Sequence, residues 1–129
     1  ILQYTLPGVP CVYYGDEIGM QGNKDPFNRR CFEYSKADLE LVEWYKFLGG
    51  LRKKVSAFKE GKLTLLKRSN GVITFTREDN KSLVTIAVNC GDLPCDVEVG
   101  GYEKEITRNV KTCKIPLYKY DFAIFYKKK

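Results

Sequence analysis

Two adjacent residues, Asp16 and Glu17, are the first carboxylates along the sequence, and carboxylates can carry out acid–base chemistry. They follow a short apolar run at residues 9–14, and the carboxyl ends of parallel strands are where many enzymes hold catalytic groups. Adjacent residues on a strand point to opposite faces, so these two carboxylates cannot readily work as a pair. We therefore interpret them as scaffold around the end of the strand.

The sequence has no histidine, and its five cysteines are scattered and include no C-x-x-C pair: Cys11, Cys31, Cys90, Cys95 and Cys113. An odd set of this kind favours reduced thiols in a cytoplasmic protein, although Cys90 and Cys95 could pair if their strands face each other. A zinc site is not expected, and Asp16, Asp25 and Asn28 do not form a calcium-binding loop. We therefore predict neither a metal nor a cofactor.

Positive charge is concentrated at the C-terminal end. The net charge is +6, and residues 102–129 contain eight Lys or Arg against three Asp or Glu. The lysines alternate with apolar residues, as on the solvent-exposed face of a sheet, so we do not expect nucleic acid as a partner. A membrane partner is not expected either, because no run of about 18 apolar residues is present.

Three segments of different pattern must position these groups. In the first, residues 1–34, the apolar run at 9–14 is short and continuous, which is typical of a strand buried on both faces in a parallel sheet. Tyr13 and Tyr14 are then expected to pack in the interior with satisfied hydroxyls. The polar, glycine-containing residues 15–30 predict a long loop.

The second segment predicts one long helix. Ser35 could cap its start, with Asp38 in the place of a capping-box acid and Tyr34 and Leu39 at the spacing of a hydrophobic staple. Apolar residues then recur at three- and four-residue steps and form one stripe: Leu41, Trp44, Tyr45, Leu48, Leu51 and Val55. The Gly49–Gly50 pair costs about 1 kcal/mol per glycine in a helix interior, so we expect either close packing or a weak point there.

The third segment changes to a period of two. It predicts seven short strands, at residues 63–67, 72–76, 83–88, 95–99, 103–107, 112–115 and 122–126. Turn-forming residues at 69–71 and 78–81 join the first three strands as hairpins. The predicted fold class is therefore mainly β, an antiparallel β-sandwich preceded by one long helix.

Residues 7–30 contain a long, ordered motif: P-G-V-P-C-V-Y-Y-G-D-E-I-G at 7–19 and D-P-F-N-R at 25–29. It resembles the end of the catalytic barrel in the alpha-amylase family, where a P-G-x-P-x-x-Y-Y-G-D-E-x-G stretch is the eighth strand and the loop leaving it. The helix and strands fall where that family has its last barrel helix and its C-terminal β-domain. The resemblance implies a remnant of a (β/α)8 barrel at residues 1–34, the last barrel helix at 35–56 and the C-terminal domain at 57–129.

The D-P-x-N-R form of the loop is most similar to the neopullulanase, cyclomaltodextrinase and oligoglucosidase branches. In those enzymes an aspartate and an arginine four residues later contact glucose units, which implies that Asp25 and Arg29 bind substrate here. A carboxylate can accept hydrogen bonds from sugar hydroxyls, and a guanidinium can donate to others. An ion pair that only pins the loop is the alternative.

The family's nucleophile, acid and third carboxylate belong to its fourth, fifth and seventh barrel strands, which this sequence lacks. We therefore assign no catalytic residue and expect the chain to be inert by itself. Because it begins at Ile1 and its only methionine is Met20, we expect it to come from a longer parent. The resemblance implies a parent that is a retaining hydrolase or transglycosylase of α-1,4 or α-1,6 bonds in α-glucan oligosaccharides.

Two alternatives stay open. A parent that lacked the three carboxylates would be a non-catalytic amylase-like protein, of the kind found in transporter subunits. The β-domain could instead be a glucan-binding module, with Tyr102, Tyr118, Tyr120 and Tyr126 as candidate aromatic platforms. Whichever holds, one strand cannot make a barrel, so unpaired amides at 9–14 predict self-association through residues 1–34.

Overall fold

The computed structural model describes residues 1–102, 104–112 and 114–129, so that Glu103 and Cys113 lie outside the described residues. The helices are α1 (Leu2–Thr5), α2 (Leu39–Lys54) and α3 (Ala57–Glu60), and single 3-10 turns form at Asp16–Ile18, Phe27–Arg29 and Tyr34–Lys36. The strands are β1 (Lys62–Ser69), β2 (Val72–Glu78), β3 (Ser82–Asn89), β4 (Cys95–Glu98), β5 (Lys104–Glu105), β6 (Lys114–Leu117) and β7 (Phe122–Lys128). In this described part, no helix has the length and apolar character that crossing a membrane requires.

The strands form two antiparallel sheets. The larger sheet has the order β1-β2-β3-β7-β5, and the smaller one pairs β4 with β6. The mainly β, antiparallel sandwich predicted from the sequence is therefore confirmed. Two of the predicted strands, 103–107 and 112–115, include residues outside the described ones; of their described residues, Lys104 and Glu105 form β5, and 114–115 begin β6.

The strand β5 is much shorter than predicted because the buried carboxylate of Glu105 turns the chain. Its Oε1 accepts from the backbone N–H of Thr107 at 3.0 Å, and its Oε2 accepts from that of Arg108 at 2.7 Å. Oε1 also accepts from the backbone N–H of Ile124 on β7, at 2.9 Å. A side chain that bonds the backbone two and three residues ahead favours a turn over a continued strand.

Both faces of the larger sheet are covered. One face packs with α3 in a cluster that the start of the chain and the end of α2 also contact: Ala57, Phe58, Phe75, Val84, Ile86, Val88 and Ile124, with Ile1, Leu2, Leu51 and Val55. The other face packs against the smaller sheet: Val72, Ala87, Val97, Ile115, Leu117, Ala123 and Phe125. Successive residues of a strand point to opposite faces of the sheet. Because both faces are covered, β3 is buried along almost its whole length.

The helix α2 begins later than predicted. Its N-cap is Asp38, whose carboxylate accepts from the backbone N–H of Leu41 at 3.0 Å. Ser35 lies instead in the preceding 3-10 turn, and the exposed Tyr34 and Leu39 do not form the expected staple. An aspartate is as good an N-cap as a serine, and here the carboxylate in reach of the free amides caps the helix.

The apolar stripe of α2 faces the rest of the molecule, as predicted. Leu48 is buried, and the Trp44 ring makes an edge contact with Phe122 of β7, with ring centroids 5.4 Å apart. The helix continues without a break through Gly49–Gly50. A Cβ atom at Gly49 would lie 3.8 Å from the ring of Tyr4, an ordinary contact distance, and one at Gly50 would meet nothing within 4 Å, so the packing at these positions does not require glycine.

The strand predicted at residues 9–14 is not formed, and this prediction is wrong for the structure. The side chain of Val9 is 93% exposed, and Tyr13 and Tyr14 are exposed too. A strand is stabilised by hydrogen bonds to a neighbouring strand. Among the described residues, no other segment pairs with 9–14, so the segment runs as irregular chain.

Candidate functional site

The loop that carries the resemblance is anchored by a compact turn at its start. Gly15 and Gly19 have φ angles of +94° and +76°, which glycine adopts without strain. Between them Ile18 is buried, and its carbonyl accepts from the backbone N–H of Asp38 at 3.1 Å. This contact fixes the turn to the start of α2.

Asp16 and Glu17 lie in this 3-10 turn and not at the end of a strand. The Oε2 atom of Glu17 accepts from the backbone N–H of Gly15 at 2.9 Å, and the N–H of Met20 reaches the carbonyl of Gly15 at 2.9 Å. Glu17 therefore helps to hold the turn closed, which is a scaffold role.

Tyr13 and Tyr14 connect the beginning of the loop to its end. Their ring centroids are 4.8 Å apart, and the Tyr14 hydroxyl donates to the carbonyl of Arg30 at 3.0 Å. The Tyr13 hydroxyl donates to the carbonyl of Asn28 at 3.3 Å. The prediction that both tyrosines are interior packing residues is wrong, because they are 52% and 42% exposed in the absence of a covering strand.

The environment of Tyr14 disfavours its ionised form. Partial desolvation, followed by the neighbouring Tyr13, raises the pKa of the Tyr14 hydroxyl. A protonated hydroxyl is a hydrogen-bond donor. It therefore remains a donor to the Arg30 carbonyl up to a higher pH than an unperturbed tyrosine would.

The structure brings Asp25 and Arg29 together on the exposed part of the loop. The Nε atom of Arg29 lies 3.3 Å from Oδ1 of Asp25, and the two side chains are 73% and 64% exposed. The Asp25–Pro26 peptide bond is cis, and the N–H of Arg29 donates to the Pro26 carbonyl at 3.0 Å. An ion pair this exposed contributes about 0–1 kcal/mol to stability.

A small cleft of about 110 Å³ lies in the same loop, and neither Asp25 nor Arg29 is part of its lining. Its lining includes the paired tyrosines, Phe27 and Arg30. The sequence analysis did not identify Phe27 or Arg30 as site residues. The signal was their position, since Phe27 lies between the two charged residues and Arg30 directly follows the second.

The four tyrosines proposed as sugar platforms in the β-domain differ in exposure. Tyr118 and Tyr120 are 65% and 73% exposed, in the turn between β6 and β7. Tyr102 packs against Phe125 and shares a hydrogen bond with Thr85, and burial raises the pKa of its hydroxyl. Tyr126 is partly buried at the edge of the first core cluster.

Cysteine and metal chemistry contribute little to the described site. Cys11, Cys31, Cys90 and Cys95 are free thiols, and burial raises the pKa of the Cys95 thiol. Cys113 lies outside the described residues. Within 1–102, 104–112 and 114–129, no group of three or more His, Cys, Asp or Glu side chains could hold a metal ion.

The comparisons with known proteins support the resemblance across most of the chain. The intracellular maltogenic amylase of Bacillus subtilis (strain 168) is 35% identical over 115 residues, which are 85% of this chain and 19% of that enzyme. A cyclomaltodextrinase of Geobacillus thermopakistaniensis is 34% identical over 109 residues, which are 78% of this chain and 18% of that enzyme. The chain belongs to the alpha-amylase family.

Solved structures agree with this assignment. The maltogenic amylase from S. marinus superimposes with a TM-score of 0.83 and 30% identity, and the match covers 97% of this amylase-family chain but only 18% of that structure. The shared fold is the C-terminal β-domain of amylase-family enzymes, with the elements that lead into it. The chain spans less than a fifth of the length of each of these three relatives. No family model matches the chain.

Proposed function

We propose that this chain is the C-terminal part of a retaining α-glucan hydrolase or transglycosylase that acts on α-1,4 or α-1,6 bonds. The proposal is supported by relatives named maltogenic amylase and cyclomaltodextrinase. In it, residues 1–34 are the remnant of the last barrel strand and its loop, 35–56 the last barrel helix and 57–129 a structural domain. A cytoplasmic location fits the four described free thiols and a relative called intracellular.

The observation that carries the proposal is the exposed ion pair of Asp25 and Arg29, in the loop that carries the family motif. The contact joins Nε of Arg29 to Oδ1 of Asp25 at 3.3 Å, and the Arg29 guanidinium also carries two terminal nitrogens. Those nitrogens can donate to sugar hydroxyls while the Asp25 carboxylate accepts from others. The Tyr13 and Tyr14 hydroxyls donate to the carbonyls of Asn28 and Arg30, the two residues that flank Arg29.

The test is steady-state hydrolysis of maltooligosaccharides by a complete enzyme that contains this segment, compared with its Asp25→Asn and Arg29→Met variants. Loss of a hydrogen bond to a charged group is expected to lower kcat/KM by roughly 10- to 100-fold in each variant. Lys24→Met is the matched control, since it removes a charge from the same loop outside the pair, and should keep wild-type kcat/KM. Wild-type kcat/KM in both pair variants would contradict the assignment of these two residues.

The chain by itself is proposed to be inert, because the three catalytic carboxylates of the family belong to other barrel strands. Incubation of the 129-residue chain with maltoheptaose should release no shorter sugars. A complete protein that had Asp25 and Arg29 but lacked the three carboxylates would be a non-catalytic relative, and would bind maltooligosaccharides without cleaving them. Measuring binding and hydrolysis on the same sample separates these two cases.

A second candidate function is glucan binding by the β-domain, and the exposure of Tyr118 and Tyr120 favours it. Sugar rings stack on exposed aromatic faces, and the buried Asn89 makes hydrogen bonds to the turn that holds these tyrosines. The side-chain amide of Asn89 donates to the Leu117 carbonyl at 3.1 Å. The backbone carbonyl of Asn89 accepts from the N–H of Tyr120 at 2.9 Å.

Calorimetric titration of the chain with maltoheptaose tests this candidate. Binding heat that disappears in a Tyr118→Ala, Tyr120→Ala double variant and persists in Tyr34→Ala would support it, because Tyr34 is an equally exposed tyrosine outside the β-domain. No heat in the wild-type chain would leave the β-domain as a structural cap, which is its role in the main proposal.

A further inference from the structure

The helix α1 is too short to be stable on its own. It has four residues, its N-cap Ile1 makes no side-chain capping bond, and isolated helices of this length are unstable in water. Its last residue, Thr5, is nevertheless only 1% exposed. The order of this segment must therefore come from contacts with the rest of the molecule.

Arg77 of β2 provides one such contact. Its side chain is 1% exposed, and its guanidinium donates to the Thr5 carbonyl at 2.7 Å from one terminal nitrogen. The other terminal nitrogen and Nε donate to the carbonyl of Gly61, at 2.9 and 3.2 Å. A single buried cation thus bridges the end of α1 and the residue that precedes β1.

Arg52 of α2 provides a second contact from the helix side. It donates to the Tyr4 carbonyl at 2.7 Å and to the Leu6 carbonyl at 3.4 Å, and a further bond reaches the carbonyl of Gly8. Burial, followed by the charge of the nearby Arg52, lowers the pKa of Arg77. Two cations are therefore held close together, and the backbone carbonyls of residues 4–8 are the acceptors that offset their repulsion.

We infer that Arg52 and Arg77 are positioning residues, which together clamp residues 4–8 between α2 and the β-domain and so fix the point from which the Asp25–Arg29 loop departs. The segment runs from this clamp through Tyr13 and Tyr14, whose hydroxyls hold the carbonyls of Asn28 and Arg30. The β-domain would thus act on substrate contact through the backbone, without touching sugar. The part of this inference that concerns substrate rests on the proposed function.

Hydrogen exchange measured by mass spectrometry on the 129-residue chain tests the clamp. We expect Arg77→Lys and Arg52→Met to speed exchange at residues 2–6 by about tenfold or more, because each removes charge-assisted bonds to this segment. Strands β2 and β3 should keep their protection in both variants. The Arg77→Lys side chain has one nitrogen in place of three, so it does not reproduce the bonds that separate guanidinium nitrogens make to the Thr5 and Gly61 carbonyls. Arg52→Lys should give an intermediate effect.

Arg68→Met is the matched control, since it removes an exposed arginine from β1 and should leave residues 2–6 unchanged. Trypsin cleavage after Arg29 and Arg30 gives a second readout and should be faster in the clamp variants. Unchanged protection of residues 2–6 in both clamp variants would overturn the inference, as would an equal loss in β2 and β3. The experiment contains no sugar, so its failure is distinct from a failure of the proposed function.

Discussion

At the scale of single residues, the carboxyl group of Asp79 has a pKa that is clearly shifted by its surroundings. It lies in the turn between β2 and β3, where the Ser56 hydroxyl and the backbone N–H groups of Lys81 and Ser82 donate to it. The hydrogen bond from Ser56, followed by those from the backbone, lowers the pKa of Asp79 from 3.8 to about 2. The same bonds connect this hairpin to the residue that precedes α3.

This shift predicts a pH dependence of stability. Because the folded-state pKa lies below the unfolded value, the unfolded chain takes up the proton first as the pH falls from about 4 to about 2. Asp79 therefore stabilises the fold above pH 4 and loses this contribution over that window. Because the side chain of Asp79 is partly exposed, we expect its contribution to the free energy of unfolding to be about 1 kcal/mol. In urea unfolding, the free energy of unfolding of Asp79→Asn should depend less on pH between pH 4 and 2 than that of the wild type.

Asp92→Asn is the control for this prediction, because Asp92 is an exposed aspartate whose ion pair with Lys119 lies on the surface. Its pH profile should follow that of the wild type. An Asp79→Asn profile parallel to the wild type would show that the Ser56 contact does not stabilise the folded state.

Sequence reasoning at this scale found the charged pair of the loop but not the cap of α2. Ser35 and Asp38 both have side chains that can accept from free helix amides, and only the path of the preceding chain decides between them. That path includes the bond from the N–H of Asp38 to the Ile18 carbonyl, a contact across 20 residues of sequence that no local pattern encodes. Asp25 and Arg29, by contrast, are only four residues apart in the sequence, and the structure brings their side chains together.

At the scale of elements, the hairpin between β1 and β2 depends on a two-residue turn. Asn70 and Gly71 have φ angles of +52° and +78°, which suit the twist of a tight hairpin. A Cβ atom at Gly71 would lie 2.5 Å from Cα of Gly91, in the loop after β3. The turn therefore requires glycine both for its backbone angle and for the close approach of the neighbouring loop.

We predict that Gly71→Ala lowers the free energy of unfolding by about 2–4 kcal/mol, from the combined cost of a strained backbone and a steric overlap. Thermal and urea unfolding of the chain measure this change. Gly100→Ala is the matched control: a Cβ there meets nothing within 4 Å, and the change should stay within about 0.5 kcal/mol. Equal stability of the two variants would contradict the close approach of the loops.

Most elements of the β-domain could be predicted because their periodicity is strong and their turns are local. The strands β1, β2 and β3 follow alternating apolar patterns joined by typical hairpin residues, and all three were placed to within two residues. The run at 9–14 was not, because a buried parallel strand needs neighbours that come from distant sequence. Its residues were interpreted by composition, whereas its conformation depends on what pairs with it.

At the scale of the whole molecule, this unpaired run is the most exposed apolar segment near the candidate site. Val9 is 93% exposed and Val12 36%, and the two tyrosines that follow are also accessible. Extended chain with unpaired amides and apolar side chains favours pairing with a second chain. We therefore keep the prediction that the isolated chain associates with itself through residues 1–34.

Analytical ultracentrifugation across a range of concentrations tests this prediction. The wild-type chain should form dimers or larger species as concentration rises, and Val9→Lys combined with Val12→Lys should shift it toward monomer. Leu93→Lys is the control, because Leu93 is a 77% exposed apolar residue in the β-domain. A wild-type monomer at the highest concentration would count against association.

The coverage of the larger sheet has a consequence for how such a chain can evolve. Its second face is covered by strands β4 and β6, but its first face packs with α3 and is contacted by Ile1, Leu2, Leu51 and Val55, which lie before it in the sequence. Recombination that exchanged the strands alone would expose this face to water, and the new partner segment would have to match its shape. Residues 1–56 and the β-domain are therefore expected to be inherited as one unit and to diverge together across the family.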